Sequence, residues 1–357
     1  MTELMHRILI VSGGSGGHLF PAISLADDLR KRGKQVILTI SSKDIDKKII
    51  KERDYEYEVF PLFFFLSKNP FLSLIKFLAS FRKAERVLRR YKPAVVVGMG
   101  GGNSISPLLL AHFRGIPTLI HEQNVFPGKA NRFLSNFVDR IAISFAETKK
   151  FFPSQKVVFT GNPLRKEVFE KGEREKQGFT ILIMGGSQGA HSINTLSLSA
   201  FRLMSEKEKK EIEVIHLSGE KDYIWVSEEY KNLRVKHSVF SFFSHIGNLY
   251  SSADLLISRA GATTIAEIIA SKKPAILIPY PYASYHQRAN ANFLFKQGAC
   301  LMIEEDRITP EELKKTILYL KEDKRERERM RENLKRLYVQ GADRRLGEQV
   351  IGLIRKD

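Results

Sequence analysis

Short runs of apolar residues alternate with stretches of helical periodicity through most of the chain. Such runs, rich in β-branched residues and bounded by turn residues, are typical of parallel strands that are covered on both faces. In the first half they predict strands at residues 8–12, 35–40, 94–98 and 118–121. The pattern then restarts and predicts strands at residues 180–184, 213–217, 255–258 and 275–279. The chain is therefore expected to be an α/β protein.

This repeat divides the chain into two similar halves. Gly161, Asn162 and Pro163 lie between them, and because an Asn-Pro step disfavours helix, they predict an interdomain hinge. We expect an N-terminal domain over residues 1–163 and a C-terminal domain over residues 164–340. Residues after Thr309 have a charged, helical pattern without a further strand. The last of them, 341–357, are expected to form a helix that packs back toward the N-terminal domain.

Composition excludes several classes of protein. The single cysteine, Cys300, cannot form an internal disulfide, and no spacing is typical of a zinc or iron-sulfur site. The apolar start of the chain is too short for a signal peptide. Lys68 and Lys76 interrupt the longest apolar stretch, so no membrane span is predicted. A protein of the reducing cytoplasm fits these features.

Positive charge is concentrated in the first half. The net charge is +18, and residues 1–165 contribute +13 of it, with 26 Lys and Arg against 13 Asp and Glu. This half is expected to face an anionic partner.

A helix predicted after Pro70 combines this charge with apolar residues. Its periodicity assigns Leu78 to the core-facing stripe, whereas the opposite face carries apolar residues followed by arginines. That face suits the surface of an anionic phospholipid bilayer. Alternatively, its apolar residues pack under residues 62–66 and its arginines are only solvated. The predicted membrane patch comprises Phe71, Leu72, Ile75, Lys76, Arg82 and Arg86.

Three glycine-rich turns, at residues 13–18, 98–104 and 185–190, directly follow predicted strands. The first leads into a helix with Pro21 in its first turn. Glycines let the backbone approach a phosphate, and the N–H groups at a helix start favour its charge. Each turn alone is equally well a tight connection without a ligand, but three together predict at least one phosphate site. The spacing of the first turn differs from that of dinucleotide-binding and P-loop motifs, and Ser41-Ser42 stand where a ribose-binding acid is expected, which disfavours NAD and ATP.

A fourth segment, residues 259–267, follows the strand predicted at 255–258. Thr263 or Thr264 is expected to cap a helix that carries Glu267 in its first turn. A carboxylate at this position either stabilises the helix or accepts hydrogen bonds from two sugar hydroxyls.

Together these segments resemble one known family. The matching residues, in this order, are 13–18, 98–104, 121–124, 161–165, 185–190 and 259–267, followed by His286 and Gln287. Between residues 8 and 299 they are similar to the lipid II synthases of glycosyltransferase family 28. The resemblance implies the GT-B fold, an α/β architecture with two Rossmann-like parallel-sheet domains facing across a cleft. Family members commonly have Gln-Gln where this chain has His286-Gln287.

The resemblance also implies an activity. It is the inverting transfer of N-acetylglucosamine from UDP-N-acetylglucosamine to the 4-hydroxyl of N-acetylmuramoyl-pentapeptide on undecaprenyl pyrophosphate. This acceptor is lipid I, the product is lipid II, and the reaction belongs to peptidoglycan biosynthesis. The implied partners are UDP-N-acetylglucosamine, undecaprenyl-linked lipid I and an anionic phospholipid bilayer, with the protein peripheral on the cytoplasmic face of the membrane.

No metal or other cofactor is implied. Asp44 and Asp46 match the acidic pair of metal-dependent transferases. They lie among lysines, however, and are interpreted as solvated surface residues. Three alternatives remain: a glycolipid transferase acting on diacylglycerol, a sugar-nucleotide epimerase of the same fold, and a basic nucleic-acid-binding protein. Nucleic acid is not expected as a partner, because no recognisable module for it is present.

Site residues follow from the chemistry and from the resemblance. His18 is the candidate general base, since histidine titrates near neutral pH, although a histidine there would also suit capping a helix or holding a phosphate. The implied donor-binding residues are Ser15, Gly16, Gly17, Asn124, Arg165, Ser187, Gln188, Gly189, Phe243, Ala262, Thr263, Thr264, Ile265, Ala266, Glu267 and Gln287. Those implied for the acceptor pyrophosphate are Gly14, Ser15, Gly16, Gly101, Gly102, Asn103 and Ser104.

Within the donor set, the resemblance implies separate tasks. Arg165 and Ser187 are expected to hold the pyrophosphate. Asn124 and Gln287 are expected on the sugar. Glu267 is expected on the ribose hydroxyls, with Phe243 beside uracil.

Overall fold

The structure is a computed structural model whose chain divides into two compact units. Unit 1 comprises Met1–Arg165 and Val339–Asp357, and unit 2 comprises Lys166–Tyr338. The structure describes residues 6–12, 16–42, 44–51, 53–60, 70–170, 178–186, 188–282 and 285–355, and gives only the backbone for 16, 44, 45, 48, 49 and 70–74. Several predictions therefore fall outside the described residues: those on Gly14, Ser15, Ser187 and residues 62–66, and those on the side chains of Phe71 and Leu72.

Unit 1 is built on a seven-stranded sheet in which all neighbouring strands are parallel. The strands are β1 (Arg7–Val11), β2 (Gln35–Ile40), β3 (Glu56–Val59), β4 (Val95–Gly98), β5 (Thr118–Glu122), β6 (Arg140–Ile143) and β7 (Val157–Phe159). Their order is β3-β2-β1-β4-β5-β6-β7, so the direction of travel reverses between β1 and β4. Ligands of open α/β sheets bind outside the carboxyl ends of the strands at such a reversal.

Helices cover both faces of this sheet. Between the strands the described residues form α1 (Gly16–Lys31), α2 (Asp44–Lys51), α3 (Pro70–Tyr91), α4 (Ile105–Phe113) and α5 (Lys129–Leu134). Ile8 and Ile10 of β1 pack in a core with α1, whereas Leu9 packs in a second core with α3 and α4. Successive side chains of a strand point to opposite faces, so a strand buried on both faces has the continuous apolar run seen in the sequence.

Unit 2 repeats this plan with a six-stranded parallel sheet. Its strands are β8 (Phe179–Met184), β9 (Ile212–Leu217), β10 (Lys236–Phe240), β11 (Leu255–Ser258), β12 (Ala275–Leu277) and β13 (Leu301–Met302). The order β10-β9-β8-β11-β12-β13 reverses between β8 and β11. The helices of unit 2 are α6 (His191–Arg202), α7 (Glu206–Lys210), α8 (Tyr223–Leu233), α9 (Ile246–Ser252), α10 (Ala262–Ser271), α11 (His286–Lys296), α12 (Pro310–Glu322) and α13 (Lys324–Leu337).

The last helix, α14 (Ala342–Ile351), belongs to unit 1. Leu346 and Val350 are fully buried in the core that contains Leu19 of α1. Gly347 permits this close approach, because a Cβ atom there would lie only 2.0 Å from Asp28 Oδ2.

All eight predicted strands are present, and the α/β class with parallel sheets is confirmed. The sequence did not predict β3, β6, β7, β10 or β13, which have two to five residues each. Runs this short carry little periodicity, and charged or polar residues open β3 and β10. Within the described part of the chain, no helix is long and apolar enough to cross a membrane.

Two details of the predicted helices are wrong. Pro21 lies in the interior of α1 rather than in its first turn, because α1 already begins at Gly16. Leu78 does not face the core; its side chain is 52% exposed. Among the described side chains of α3, burial begins only at Ser80, so the core-facing stripe serves the second half of the helix.

Candidate active site

Two glycine-rich turns follow neighbouring strands at the reversal point of the unit 1 sheet. The Met99 N–H donates to the Val11 carbonyl over 2.8 Å, which continues the pairing of β1 and β4 past Gly98. Gly100 and Gly101 then adopt φ angles of +93° and +79°, a region that favours glycine. Helix α1 begins just beyond the first turn, and α4 just beyond the second. Two helix starts at one sheet edge favour an anionic ligand there.

His18, in the first turn of α1, is half-buried at this edge. Its Nδ1 lies 3.1 Å from Gln123 Oε1. The second turn also packs against the ring, since a Cβ on Gly100 would lie 3.0 Å from His18 Cε1 and 3.2 Å from its Nδ1. The structure thus brings the predicted base and the turn that follows β4 together.

The residues predicted for the acceptor pyrophosphate divide into two kinds. Gly101 and Gly102 are half-buried, whereas Asn103 and Ser104 are buried. Ser104 Oγ donates to the Gly100 carbonyl over 2.9 Å, so this hydroxyl supports the turn itself. Among Gly101, Gly102, Asn103 and Ser104, the backbone of the two glycines is therefore the more accessible part.

Asn124 lies in a loop that is organised by Glu122, the last residue of β5. One oxygen of the buried Glu122 carboxylate accepts from the Asn124 backbone N–H (2.9 Å) and from its side-chain amide (3.1 Å). The other accepts from Gly128 N–H (3.0 Å) and Asn131 Nδ2 (2.8 Å). Sequence reasoning selected Asn124 and overlooked Glu122, although an acidic residue at the end of a buried strand is itself a signal.

Arg165 belongs to unit 1, where its guanidinium carbon lies 4.1 Å from the centre of the Phe20 ring of α1. A guanidinium that stacks on an aromatic face keeps its planar N–H groups oriented for oxygen ligands. Its predicted contact with a pyrophosphate remains a prediction.

The corresponding turn in unit 2 follows β8, at the second reversal point. A Cβ on Gly185 would lie 2.2 Å from the Ala190 nitrogen, and one on Gly189 would lie 2.1 Å from the Ser218 carbonyl oxygen. Close backbone packing therefore accounts for these two glycines. Gly186 is different, because it has a φ of +94° and a Cβ there would meet nothing within 4 Å. Its exposed backbone is where a ligand can approach, beside the exposed Gln188 and the start of α6.

The N-terminus of helix α10, which follows β11, differs from the prediction that a threonine caps it. Gly261 occupies the N-cap position without a side-chain hydrogen bond, so neither Thr263 nor Thr264 caps the helix. Glu267 is consequently beyond the first turn, and it is buried, with Oε2 accepting from the Tyr250 hydroxyl over 2.9 Å. The predicted neighbours Ala262, Thr263, Ile265 and Ala266 are buried as well, whereas Thr264 is half-buried.

Arg259 organises the carboxyl end of β11, and no separate role was predicted for it. It forms a bidentate ion pair with Glu305 at 2.7 and 2.9 Å. It also donates to the Ile278 carbonyl (3.0 Å) and to Ser192 Oγ (2.7 Å). Burial raises the pKa of Glu305, but the hydrogen bonds from Arg259 and Ser192 and the charge of Arg259 together outweigh it and hold that pKa below its usual value. This cluster ties α6, β11 and β12 together behind the glycine-rich turn.

Two further donor residues have defined surroundings. Gln287 Oε1 accepts from the backbone N–H groups of Ala260 (3.3 Å) and Tyr280 (3.0 Å). The Phe243 ring is half-buried, and its centre lies 4.9 Å from that of Phe240 at the end of β10. Both residues thus lie near carboxyl ends of strands in unit 2.

The interpretation of Asp46 as solvated surface is wrong. Asp46 is buried, and its carboxylate accepts a hydrogen bond from Ser41 Oγ, since the side of α2 that carries it faces the end of β2. Among the described residues, no group of three or more His, Cys, Asp or Glu side chains is placed to hold a metal ion.

Two parallel-sheet units, each with a glycine-rich turn at its strand reversal, define the GT-B class of sugar-nucleotide enzymes. Residues 8–143 match the glycosyltransferase family 28 N-terminal domain, and residues 180–346 match the family 28 C-terminal domain. The chain belongs to glycosyltransferase family 28.

Relatives from two bacteria carry the name UDP-N-acetylglucosamine--N-acetylmuramyl-(pentapeptide) pyrophosphoryl-undecaprenol N-acetylglucosamine transferase. The one from Geobacter metallireducens is 38% identical over 329 residues, which cover 89% of this chain and 90% of the relative. The one from Thermodesulfovibrio yellowstonii is 39% identical over 326 residues, covering 87% and 88%. The crystal structure of Acinetobacter baumannii MurG has a TM-score of 0.78 at 27% identity, covering 97% of this chain and 99% of that one.

Proposed function

We propose that this protein transfers N-acetylglucosamine from UDP-N-acetylglucosamine to the 4-hydroxyl of the N-acetylmuramoyl group of lipid I, which forms lipid II. One observation carries the proposal. The similarity to relatives named for this transfer covers 89% of the chain, and so includes unit 1 as well as unit 2. A transferase acting on diacylglycerol would need to resemble these relatives only in unit 2, which binds the sugar donor in the proposed function.

The reaction requires a proton acceptor and a place for negative charge. His18 removes the proton from the acceptor 4-hydroxyl while the oxygen attacks the anomeric carbon of the donor sugar. The new glycosidic bond forms as the bond from that carbon to the UDP oxygen breaks, so the configuration inverts. UDP leaves with the bonding electron pair. The half-buried ring of His18 packs against Gly100, which directly precedes Gly101 and Gly102 in the chain, and the backbone of those two glycines suits the acceptor pyrophosphate.

The donor diphosphate binds at the turn after β8. The exposed backbone of Gly186 and the N-terminus of α6 offer N–H groups to the departing phosphate. Arg165 adds a guanidinium fork, which spreads the developing charge over two hydrogen bonds. Glu267 accepts from the ribose, and Asn124 and Gln287 contact the sugar. We propose that transfer needs no metal ion.

The protein acts at an anionic membrane, on the cytoplasmic face where UDP-sugars are available. Helix α3 carries both apolar and basic side chains that are exposed. Ile75 is 56% exposed and Leu78 is 52% exposed. The basic residues Lys76, Arg82 and Arg86 are exposed as well. Phe113 of α4 and Phe133 of α5, in the same unit, are 74% and 47% exposed. Apolar side chains enter the headgroup boundary while each basic side chain near anionic lipid contributes about 1 kcal/mol.

One assay tests the transfer. The full chain is incubated with labelled UDP-N-acetylglucosamine and a short-chain lipid I analogue in the presence of a chelator, and the labelled product is isolated. Transfer to lipid I is expected. Parallel reactions with diacylglycerol, and without any acceptor, distinguish the alternatives. Label on diacylglycerol but not on lipid I would exclude the proposal, and so would epimerisation of the UDP-sugar without transfer.

A further inference from the structure

A buried chain of hydrogen bonds connects His18 to the backbone of unit 1. Gln123 stands at its centre, with its side-chain nitrogen 2.9 Å from the Met99 carbonyl oxygen and 3.1 Å from His121 Nδ1. Its oxygen faces His18 Nδ1 at 3.1 Å. His121 Nε2 lies 3.1 Å from the Gly161 carbonyl oxygen. His121 and Gln123 are buried, so these groups bond to one another rather than to bulk water.

The two carbonyl groups set the direction of every bond in this chain. A backbone carbonyl can only accept, so the amide of Gln123 must turn its NH₂ toward Met99 and its oxygen toward His18. At the other end, His121 Nε2 lies near the Gly161 carbonyl and, at 3.3 Å, near Ser144 Oγ, and a hydrogen on Nε2 lets it donate to Gly161. His121 Nδ1 then accepts from Gln123, which agrees with the orientation that Met99 requires.

Burial keeps His121 in the form that this arrangement needs. It lowers the pKa of His121 to about 4, so the ring is neutral near pH 7 and holds a single N–H. With both hydrogens of the Gln123 amide donated to other groups, its oxygen is left to accept from His18.

We infer that Gln123 is a positioning residue that holds neutral His18 in the tautomer with hydrogen on Nδ1, so that Nε2 is the nitrogen that takes up a proton. The inference rests on the proposed function for its catalytic consequence. The tautomer itself follows from the hydrogen-bond geometry alone. Gly100 completes the arrangement, because its lack of a side chain lets the turn after β4 pack on the His18 ring.

Nitrogen-15 NMR tests the tautomer directly. In protein labelled at histidine ring nitrogens, protonated and unprotonated nitrogens have well-separated chemical shifts, and the His18 signals are identified by their loss in His18→Gln. At a pH where this ring is neutral, the wild type is expected to show hydrogen on Nδ1. Hydrogen on Nε2 in the wild type overturns the inference without recourse to any variant.

A second experiment uses the variant Gln123→Met to test the positioning role. This substitution keeps the length of the side chain but removes its hydrogen-bond donors and its acceptor. The expected result is loss of the single Nδ1–H tautomer and a decrease in kcat of about 10- to 100-fold, with little change in the KM for UDP-N-acetylglucosamine. Ser135→Ala is the matched control. It removes the hydroxyl hydrogen bond from the buried residue Ser135 to the Arg132 carbonyl, elsewhere in unit 1, and should leave both the tautomer and kcat unchanged.

The two readouts separate this inference from the proposed function. A wild type with hydrogen on Nδ1 that transfers no sugar to lipid I contradicts the function but leaves the tautomer assignment standing. A changed tautomer in Gln123→Met with undiminished kcat overturns the positioning role, while transfer by the wild type stands.

Discussion

The Tyr250 hydroxyl and the Glu267 carboxylate form a buried hydrogen bond of 2.9 Å between α9 and α10. Glu267 therefore has a structural contact in addition to its proposed contact with the ribose. Glu267→Ala should raise the donor KM and leave kcat closer to normal, because ribose contacts persist from the ground state to the transition state. It should also cost about 1–3 kcal/mol of stability, since the buried Tyr250 hydroxyl loses its hydrogen bond to the carboxylate.

Tyr250→Phe separates these two effects. It removes the hydroxyl but leaves the carboxylate available to the ribose, so the donor KM should change much less than in Glu267→Ala. Steady-state kinetics and urea unfolding of both variants provide the comparison. An effect of Glu267→Ala on kcat alone would contradict the ribose role.

His18→Ala should lower kcat by roughly 100-fold or more, because a general base acts only in the transition state. Binding of UDP, measured by calorimetry, should change little. An unchanged kcat removes His18 from the mechanism.

Glu305→Ala should destabilise unit 2 and raise the donor KM. It leaves the buried guanidinium of Arg259 without its bidentate partner, which costs about 2–3 kcal/mol after allowance for the partial exposure of Glu305. Glu304 provides a matched control, because it pairs with the exposed Arg288 at 2.8 Å. Its replacement by alanine should cost less than about 1 kcal/mol. Equal unfolding free energies for the two variants would show that the Arg259–Glu305 pair contributes no more stability than the exposed Arg288–Glu304 pair.

Binding to vesicles rich in phosphatidylglycerol or cardiolipin should be salt-sensitive and should be lost in Ile75→Glu combined with Arg82→Glu. Ile224→Glu with Lys231→Glu makes the same changes of charge at the same spacing on α8, and should leave vesicle binding intact. UDP binding should survive in both double variants. Sedimentation of wild type and variants with the vesicles to an equal extent would contradict the membrane proposal.

Stability of unit 2 should fall as the pH decreases below about 6.5. His216 is buried between Tyr230 and Asn194, and burial lowers its pKa to about 3. An unfolded histidine titrates near 6.5, so between these values the unfolded chain binds a proton that the folded chain does not. His216→Gln should reduce the pH dependence of the unfolding free energy by up to about 1.4 kcal/mol per pH unit. Equal slopes for wild type and His216→Gln contradict the prediction.

The fold was largely predictable because buried parallel strands and glycine-rich turns leave local signals. Each predicted turn lies at the end of a strand, and His18 reaches the same sheet edge as Gly100. The partners of these residues were not predictable. Gln123 is 105 residues from His18, and Glu305 is 46 from Arg259, so only the strand order brings each pair together. Leu78 was wrongly predicted to face the core. Periodicity defines which residues share a face of a helix, but it does not show along how much of its length that face is covered by other elements.

The return of α14 to unit 1 has a consequence for biosynthesis. Unit 2 lies between two segments of unit 1 in the chain, and Leu346 and Val350 complete a core whose other members come from the first 142 residues. On the ribosome, unit 2 is therefore fully available for folding before unit 1 has all of its parts. Until α14 emerges, the apolar surface of α1 that it covers stays exposed to solvent. We therefore expect unit 1 to reach its native state after unit 2.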